Sequence, residues 1–433
     1  MADIQELTRM LAQLEEQMVT CMRCGMCQAA CPLYAETGRE TDVARGKIVL
    51  LEHLSQELLK DPQGVKQRLE NCLLCGSCAA ACPSGVKVLD LFLQARAIIN
   101  GYLGLPPAKK AVFRFLLTKP ALFNSVASLA SRFQGLFTKP ADELLGSSCA
   151  RFESKALKDR HFMPLARTPW HKQVPSLQEK AGASNQQVAF FPGCLVDKVF
   201  PAVAQSVCQA LRYHQVGIYM PAKQSCCGIP ALSSGDRHSF QQLVRNNLKL
   251  FAEQNYQVLV TPCATCTATI KKIWPAMADY FSPQEQEQIK QVAAKTMDIT
   301  QFLADNFSIA QDTEFNANKT RLTYHDPCHL KKSLQVFQQP RKLLSASQEY
   351  ELVEMPEADR CCGMGGSFGL EHYDLSRKVG ERKLQNILHT EAEVVSTACP
   401  ACMLQIIDLL SHQHSGVQVK HPVQIYAGQL PQQ

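Results

Sequence analysis

Residues 21–32 read CMRCGMCQAACP and residues 72–83 read CLLCGSCAAACP, so the spacing C-x2-C-x2-C-x3-C-P occurs twice in the chain. In each run, three thiols are separated by two residues, and a fourth thiol stands directly before a proline. Small residues such as Gly25 and Gly76 lie between the cysteines, where they let backbone N–H groups approach the sulfur atoms. The repeated spacing indicates two thiolate-ligated metal centres near the beginning of the chain.

This spacing is the one that holds [4Fe–4S] clusters in two-cluster bacterial ferredoxins, where the fourth cysteine of a run ligates the other cluster. Structural zinc also binds C-x2-C pairs, but it does not require the ordered fourth cysteine and its proline. We therefore expect two [4Fe–4S] clusters. By the crossover rule, the first takes Cys21, Cys24, Cys27 and Cys82, and the second takes Cys72, Cys75, Cys78 and Cys31.

A second cysteine pattern occurs twice in the later part of the chain. Each copy has one cysteine, then a Cys-Cys-Gly triplet, then a C-x2-C pair, and the gaps agree between the copies to within one residue. Five thiolates exceed what one tetrahedral zinc ion uses, so we expect an iron–sulfur cluster in each repeat, with zinc or no metal in at least one of them as the alternative. The cysteines are Cys194, Cys226, Cys227, Cys263 and Cys266 in the first repeat, and Cys328, Cys361, Cys362, Cys399 and Cys402 in the second.

Short apolar runs end just before the cysteines of both repeats. These runs are residues 188–191, 258–261, 322–324 and 394–397. Segments with helical periodicity lie between them, at residues 199–213, 240–254 and 374–388. Strands that alternate with helices predict parallel α/β units, which collect their sites at the carboxyl ends of the strands.

The chain is therefore expected to be a multidomain protein, with an all-α ferredoxin-like domain followed by duplicated α/β repeats with parallel sheets. Apolar residues at helical spacing within residues 41–70 favour a helical insertion between the two cysteine runs. Prolines, serines and glycines in residues 142–187 predict an irregular connector. The expected parts are residues 1–100 for the helical two-cluster domain, 101–187 for a basic helical segment and connector, 188–310 for the first repeat and 320–433 for the second.

Composition limits the remaining function classes. The 433 residues are 46% hydrophobic and carry 45 basic against 39 acidic side chains, a mild excess that does not indicate nucleic-acid binding. No apolar run approaches the length of a membrane helix, and the acidic first twenty residues do not fit an export signal. Eighteen of the twenty cysteines fall into four groups, so we expect a cytoplasmic protein whose grouped cysteines bind metal as thiolates. The other two, Cys149 and Cys208, are expected to be buried small residues.

One basic segment differs from the rest of the chain. Residues 91–141 contain no Asp or Glu, seven Lys or Arg residues and several interleaved phenylalanines. One interpretation is an amphipathic surface that makes a peripheral contact with anionic lipid at the cytoplasmic membrane face, or with a membrane partner. The other is a helical linker that packs its apolar side onto the ferredoxin module and leaves its lysines solvated.

Motifs that bind nucleotides are missing from the sequence. No G-x-G-x-x-G follows a strand, no P-loop is present, and the glycines of residues 363–367 directly follow a Cys-Cys pair and are interpreted as a cluster loop. His325 and His329 flank Cys328 and are interpreted as ordinary loop histidines outside the ligand set, with a hydrogen bond that tunes the cluster as the alternative. The chain is therefore expected to have no catalytic residue of its own and to take electrons from a flavin on a partner subunit.

The order of these motifs resembles the iron–sulfur subunits of bacterial glycolate oxidase and of its D-lactate dehydrogenase relatives. The resemblance includes residues 44–47 (ARGK), 82–85 (CPSG) and 193–194 (GC). It implies an electron-transfer subunit that receives electrons from an FAD-containing 2-hydroxyacid dehydrogenase subunit, acting on glycolate or D-lactate. The electrons then pass towards a quinone or an electron-transfer protein.

The same layout is similar to that of heterodisulfide reductase iron–sulfur subunits and of the third subunit of anaerobic glycerol-3-phosphate dehydrogenase. In heterodisulfide reductases the Cys-Cys-Gly motif binds a noncubane [4Fe–4S] cluster that does disulfide chemistry. Both repeats of this chain keep all five cysteines, unlike many glycolate oxidase relatives, which favours a catalytic subunit that reduces a disulfide as the alternative function. A non-redox scaffold held together by zinc is the third hypothesis.

Overall fold

The computed structural model describes residues 4–152, 159–252, 254–310 and 318–431. Residues 4–137 form a helical module, and no strand occurs in that stretch. Its helices are α1 (Ile4–Ala12), α2 (Glu15–Val19), α3 (Met26–Ala30), α4 (Pro32–Thr37), α5 (Ala44–Ser55), α6 (Pro62–Glu70), α7 (Ser77–Ala80), α8 (Val88–Leu103), α9 (Pro107–Ala111) and α10 (Pro120–Phe137). A 3₁₀ turn at Glu40–Asp42 and a π-helical segment at Val112–Leu117 lie between them. Helices α5 and α6 occupy the expected helical insertion, whereas the ferredoxin-like arrangement of the module stays a prediction.

Both ferredoxin-type cysteine runs adopt the same local structure, a loop that leads into a short helix. Gly25 precedes α3 with φ 87°, and Gly76 precedes α7 with φ 74°. Residues with a Cβ rarely adopt this left-handed conformation, so a glycine is required at the turn. Helices α3 and α7 contact each other, which brings the two runs face to face.

Helix α8 joins the helical module to the rest of the chain. Its Arg96 is buried, and its guanidinium donates to the carbonyl oxygens of Cys72 (3.1 Å) and Ser233 (2.8 Å), and also to that of Leu69. A buried guanidinium requires such acceptors to offset the loss of its hydration. Arg96 therefore fixes the second cysteine run against the first repeat.

Residues 138–178 contain short strands and a short helix. The prediction that residues 142–187 form an irregular connector is wrong where these elements occur. Strands β1 (Thr138–Asp142) and β2 (Ser147–Ala150) form an antiparallel hairpin. They are followed by helix α11 (Trp170–Gln173) and the two-residue strand β3 (Leu177–Gln178), which pairs with the first repeat. The proline-rich and glycine-rich composition concealed these short elements because it signals turns without showing what they connect.

The first repeat is built on a five-stranded sheet with the order β3-β5-β4-β6-β7. The strands are β4 (Gln187–Phe190), β5 (Gly217–Met220), β6 (Val258–Thr261) and β7 (Thr296–Asp298), all parallel, while β3 is antiparallel to β5. The edge strand β3 makes this sheet mixed, so the expectation of a parallel sheet holds only for β4 to β7. Its helices are α12 (Gly193–Lys198), α13 (Pro201–Tyr213), α14 (Ile229–Ser233), α15 (Arg237–Phe251), α16 (Ala264–Ala268), α17 (Trp274–Ala276), α18 (Pro283–Lys295) and α19 (Ile299–Asn306).

The second repeat has a four-stranded sheet that is parallel throughout, with the order β11-β10-β8-β9. Its strands are β8 (Thr320–Tyr324), β9 (Tyr350–Val353), β10 (Val394–Ser396) and β11 (Gln418–Lys420). Its helices are α20 (Gln338–Leu344), α21 (Ser367–Glu371), α22 (Tyr373–His389), α23 (Pro400–Gln413) and α24 (Pro422–Gly428). The parallel strands follow the same order as in the first repeat, which confirms the internal duplication at the level of topology.

The two repeats share one apolar core. Helix α13 packs against α24, and α19 packs against α20. The central strands have fully buried apolar side chains, as at Val188, Phe190 and Val395, which is typical of parallel sheets covered by helices. Among the described residues, no helix combines the length and the apolarity needed to cross a bilayer.

Candidate iron–sulfur sites

Four of the ferredoxin-type cysteines surround one small cavity in the helical module. Cys31, Cys72, Cys75 and Cys78 line this space of about 30 Å³, together with apolar side chains that include Phe92. Cys31 comes from the first run and the other three from the second, so the fold groups the cysteines that the crossover rule assigns to one cluster. Burial raises the pKa of the Cys31 thiol to about 11, so a thiolate there requires a compensating cation.

The other ferredoxin-type set lies closer to the surface. Cys21, Cys27 and Cys82 are half-buried at the edge of the module's core, and Cys24 is exposed. Arg45 lies beside this set: its guanidinium interacts electrostatically with Cys27 and Cys21 and donates to the carbonyl oxygen of Arg23 at 3.1 Å. The assignment of these four cysteines to a cluster stays a prediction.

The ARGK segment supplies one cation to each of the two sets. Arg45 accompanies Cys21 and Cys27, whereas Lys47 is 1% exposed and interacts electrostatically with Cys72 and Cys31. Burial lowers the pKa of Lys47, and its ammonium has no hydrogen-bond partner among the described residues. Gly46 lies between the two cations in the sequence. A side chain does not fit there, because a Cβ would clash with the carbonyl oxygen of Glu40. Positive charge at these places offsets the negative charge of bound thiolates.

In each repeat, five thiols follow one another in the same spatial order. In the first repeat, hydrogen bonds between thiols connect Cys194, Cys226, Cys227, Cys266 and Cys263 in that sequence. The corresponding series in the second repeat is Cys328, Cys361, Cys362, Cys402 and Cys399. Because the order is the same, the duplication extends from the strands to the positions of the individual sulfur atoms.

The sheets position these thiols at the carboxyl ends of their strands. Cys194 and Cys263 follow β4 and β6, and Cys328 and Cys399 follow β8 and β10. The Cys-Cys pairs end at Gly228 (φ 98°) and Gly363 (φ 94°), where the chain turns sharply. A Cβ on Gly363 would clash with the carbonyl oxygen of Ser376, so the turn next to the second pair leaves room only for glycine.

The pKa of the middle thiol is lowered in both series. Hydrogen bonds from Cys226 and Cys266 lower the pKa of Cys227, and hydrogen bonds from Cys361 and Cys402 lower the pKa of Cys362. Burial acts in the opposite direction on both thiols. The thiolate form is therefore favoured at the same position of each repeat, and in the second repeat also at Cys399, whose pKa is lowered as well.

The two thiol series meet. The Cys263 thiol hydrogen-bonds the Cys399 thiol, and the hydroxyl of Thr265 lies 3.5 Å from Cys399 Sγ. Near the other end of the second series, the thiol of Cys361, its second member, hydrogen-bonds Cys75 of the helical module. Neither contact could be inferred from the cysteine spacing, since each joins residues that are far apart in the chain.

All ten cysteines of the two repeats line one large cavity, of about 1260 Å³, between the repeats and the helical module. Most of the remaining lining is apolar, and Leu73 and Leu74 of the second ferredoxin-type run form part of it. Lysines from four different parts of the chain also contribute to the wall, namely Lys87, Lys109, Lys272 and Lys332. The cavity is therefore a space in which a cluster or a small anionic molecule would be shielded from bulk water.

His325 is buried beside the second thiol set and is not a solvated loop residue, whereas its place outside the ligand set stays a prediction. Its ring is 1% exposed, and its ligand atom lies within 4.8 Å of the Cys362 and Cys402 sulfur atoms. Burial lowers the pKa of His325 to about 3, so the ring is neutral. Since Nδ1 donates to the carbonyl oxygen of Ala358 (3.2 Å), Nε2 carries the free lone pair, and it has no partner among the described residues.

Two further histidines lie near the junction of the repeats. His329 joins separate parts of the chain, because its ring nitrogens contact the Thr265 hydroxyl (3.1 Å) and the carbonyl oxygen of Leu74 (3.1 Å). His421, which sequence reasoning missed, is fully buried and interacts electrostatically with Cys399. Its position directly after a strand of the second repeat was the available signal, but β11 itself was not predicted from the sequence.

The donor atoms fit iron–sulfur clusters. Soft thiolates select zinc, Cu(I) or iron–sulfur centres, and the sets of five exceed the four ligands of a tetrahedral zinc ion. Lys383 adds a cation beside the second set, where burial lowers its pKa to about 8 and its ammonium donates to the carbonyl oxygen of Ala358 at 3.1 Å. Which of the thiols bind iron stays a prediction.

Comparison with known protein families agrees with this arrangement. Residues 188–271 and 322–407 match the cysteine-rich domain family named after the CCG motif, and residues 17–86 match the 4Fe-4S dicluster domain family. The matched ranges include both ferredoxin-type runs and the cysteines of both repeats. Iron–sulfur clusters are therefore supported as the cofactors of this chain.

Several known proteins are similar over much of the chain. A probable glycolate oxidase iron–sulfur subunit of Bacillus subtilis is 28% identical over 403 residues, which are 90% of this chain and 89% of the relative. Lactate utilization protein A of Geobacillus kaustophilus is 30% identical over 239 residues, or 55% of this chain and 98% of the relative. One component of the dihydromethanophenazine:CoB–CoM heterodisulfide reductase of Methanosarcina barkeri is 26% identical over 434 residues, with 95% and 93% coverage.

Proposed function

This chain belongs to the family of iron–sulfur oxidoreductase subunits that combine a two-cluster [4Fe–4S] domain with two Cys-Cys-Gly domains, and we propose that it transfers electrons for a 2-hydroxyacid dehydrogenase. It is similar to iron–sulfur subunits of both glycolate oxidase and heterodisulfide reductase. In our proposal, FAD on a partner subunit oxidises glycolate or D-lactate. The electrons leave this chain towards a quinone or an electron-transfer protein.

The contact between Cys75 and Cys361 is the observation that carries the proposal. It joins the ferredoxin-type set of the helical module directly to the thiol series of the second repeat. From there, neighbouring thiols continue through Cys362, Cys402 and Cys399 to Cys263 of the first repeat. Electron exchange requires redox centres that approach one another closely, and this series of contacts supports such a path.

The residues that would hold the clusters are the eighteen cysteines of the four groups. We assign Cys21, Cys24, Cys27 and Cys82 to one [4Fe–4S] cluster, Cys72, Cys75, Cys78 and Cys31 to the other, and the five thiols of each repeat to a further cluster, with zinc in one repeat as the alternative. Clusters of this kind exchange single electrons when bound, whereas oxidation of a hydroxy acid removes two, which is why a flavin partner is required.

The protein itself contributes position, charge and exclusion of water. Leu73 and Leu74 separate the second ferredoxin-type set from the large cavity, so water is displaced between the two. Lys47 and Arg96 place positive charge beside Cys72, and Lys383 does so beside Cys362. Such charges favour the thiolate form of the ligands and, in iron–sulfur proteins generally, help to set the reduction potential.

The test begins with protein purified without oxygen, in which iron, zinc and acid-labile sulfide are measured. Iron and sulfide in the amounts of three or four clusters support the proposal, and a folded protein that holds zinc alone contradicts it. Cys75→Ser should remove iron from the second ferredoxin-type set, whereas the matched control Cys149→Ser, outside all four groups, should leave the iron content unchanged. Reduction of the chain by glycolate or D-lactate, in the presence of an FAD-containing dehydrogenase partner, then tests the direction of electron supply.

Reduction of a disulfide at a Cys-Cys-Gly cluster is the second candidate function. Its support is the large cavity, because all five thiols of both repeats face a space that would accommodate a small substrate. The holoprotein supplied with a reduced viologen dye and a small organic disulfide distinguishes the two functions. Turnover of the disulfide, without electron uptake from a hydroxyacid dehydrogenase, would favour the second candidate over the first.

A further inference from the structure

Helix α10 turns its apolar side towards the solvent and its polar side towards the protein. Its apolar side chains at positions 122, 126, 129, 133, 136 and 137 lie within one arc of the helix, and all of them are exposed. Leu129, Leu136 and Phe137 are between 59% and 64% exposed. A helix on the surface of a globular protein normally turns such an arc towards the core. We call these residues the outer stripe; its members are Leu122, Val126, Leu129, Phe133, Leu136 and Phe137.

The opposite side of α10, which faces the protein, is small and polar. Ser128 and Ser131 are buried there, and Gln134 is half-buried. The amide of Gln134 bonds both the N–H and the carbonyl oxygen of Leu165, each at 2.9 Å. Specific polar contacts thus hold the helix in this orientation, so the outer stripe is directed outwards by the fold.

Further exposed apolar side chains lie on the segments directly before and after α10. Phe115, on the preceding π-helical segment, is 60% exposed, and Leu144 in the hairpin that follows is 56% exposed. Single exposed apolar side chains are common on proteins, but a contiguous set of this size indicates an interaction surface. The linker interpretation fails for the outer stripe, which does not pack onto the module, but it holds in part, because Phe113, Leu117 and Phe123 do pack against the module's core.

The charge around the outer stripe selects the kind of partner. Residues 107–141 contain six Lys or Arg residues and no Asp or Glu, which leaves 39 basic against 39 acidic side chains in the rest of the chain. The whole net charge of +6 is thus concentrated here. Lys109 pairs with Glu371, while Lys110, Lys119, Arg132 and Lys139 are exposed and have no ion-pair partner among the described residues.

We propose that the outer stripe and its surrounding cations form a docking site for an anionic lipid surface, on which α10 lies parallel to the membrane plane. Apolar side chains would enter the boundary between headgroups and acyl chains, and the exposed lysines and arginines would meet lipid phosphates. This inference goes beyond the proposed function and does not depend on it, because it concerns a face that carries no cysteine of the four groups.

Sedimentation with vesicles tests the site in the oxygen-free holoprotein. We expect binding to vesicles of phosphatidylcholine with roughly one-third phosphatidylglycerol, and weaker binding when sodium chloride rises from ~0.05 M to ~0.5 M. The double variant Leu129→Ser/Phe133→Ser should bind at least ~10-fold more weakly. The matched control Leu58→Ser, at a position that is 71% exposed on another part of the module, should bind like the unaltered chain.

Fluorescence provides a second measurement. Both native tryptophans, Trp170 and Trp274, are buried, so an indole introduced by Phe133→Trp reports on the outer stripe. Its emission should shift to shorter wavelength with the anionic vesicles, whereas the emission of Leu58→Trp should not. Substitutions at these exposed positions should leave the iron content and the electron transfer to a soluble dye unchanged.

Three outcomes would overturn the inference. The unaltered chain could remain in the supernatant with anionic vesicles at low salt. The outer-stripe variant could sediment as well as the unaltered chain does. Finally, light scattering could show a dimer that the Leu129→Ser/Phe133→Ser variant abolishes without any vesicle binding, which would assign the outer stripe to a second copy of this chain. Loss of clusters in the unaltered protein would instead contradict the proposed function alone.

Discussion

Cys263 and Cys399 occupy the same position in the two repeats, and their thiols hydrogen-bond each other. The N–H of Ala264 also donates to the carbonyl oxygen of Ala398 at 3.1 Å, so backbone and side chain both cross between the repeats at this point. The two Cys-Cys-Gly sites are therefore neighbours in one cavity. We expect a change in one site to alter the other.

Cys399→Ser tests this coupling. Hydrogen bonds from Cys263 and Cys402 lower the pKa of Cys399, whereas a serine hydroxyl stays protonated and is a poor ligand for iron. We expect the variant to lose about four iron atoms per chain and to shift the electron paramagnetic resonance signal of the first repeat. Cys208→Ser, at a buried position outside the four groups, is the control. An unchanged signal from the first repeat would contradict the coupling.

Lys47→Met tests the role of the buried cation in the ARGK segment. Methionine has a similar shape but no charge, so the variant removes the positive charge beside Cys72 and Cys31. We expect the reduction potential of the corresponding cluster to fall by some tens of millivolts, with little change in iron content. Potentiometric titration of the holoprotein measures it. The exposed control Lys60→Met should not shift any potential, and equal titration curves for all three proteins would contradict the prediction.

His325→Phe tests whether the free lone pair on His325 Nε2 reaches the metal centre of the second repeat. Phe191 occupies the equivalent position three residues before Cys194, so the variant makes the two repeats alike there. In the unaltered protein, pulsed electron paramagnetic resonance should detect a nitrogen coupling that disappears in the variant, because an imidazole ligand brings a nuclear spin that thiolates lack. His53→Phe, at an exposed position, should retain the coupling. Identical spectra for His325→Phe and the unaltered chain would place His325 outside the ligand set.

Asp298→Asn tests the pH dependence of stability. Asp298 is fully buried, and burial raises its pKa to about 7 in the folded chain, against 3.8 for an exposed carboxyl. Between these values the folded state holds a proton that the unfolded state has released, so stability falls as the pH rises, by on the order of 4 kcal/mol in total. The asparagine amide stays neutral and can still accept from the Thr300 N–H through its oxygen.

The measurement is the thermal midpoint of the oxygen-free holoprotein between about pH 5 and pH 8. The midpoint of the unaltered chain should fall with rising pH, and that of Asp298→Asn should fall less. Asp305→Asn, at an exposed position in helix α19, which begins directly after Asp298, should follow the unaltered chain. Equal slopes for Asp298→Asn and the unaltered chain would show that Asp298 does not carry this pH dependence.

Gly363→Ala tests the turn beside the second Cys-Cys pair. Its φ of 94° and the clash of a Cβ with the Ser376 carbonyl oxygen should destabilise the second repeat by about 2 kcal/mol or more. Thermal melting measures the loss, with Gly428→Ala as the control, because a Cβ there would meet no atom within 4 Å. A melting midpoint equal to that of the control would mean that the backbone relaxes at no cost.

The sequence alone determined those features that depend on neighbours along the chain. The spacing of the cysteines identified all four groups, and the apolar run at residues 258–261 coincides with strand β6. Ligand spacing and strand periodicity are local properties, since a thiol that binds a cluster must lie a fixed number of residues from the next. The duplication of the Cys-Cys-Gly unit could be recognised from the sequence because it repeats the same local spacing of cysteines.

The tertiary structure decided which distant residues meet and which faces stay uncovered. No local pattern reveals that Cys75 contacts Cys361, or that β3 adds an antiparallel edge to the first sheet. The periodicity of α10 showed an apolar face, but only the packing of its serines and of Gln134 against the protein turned that face outwards. Helical periodicity shows that a helix has an apolar face. Whether that face is buried or exposed depends on whether another part of the protein packs against it.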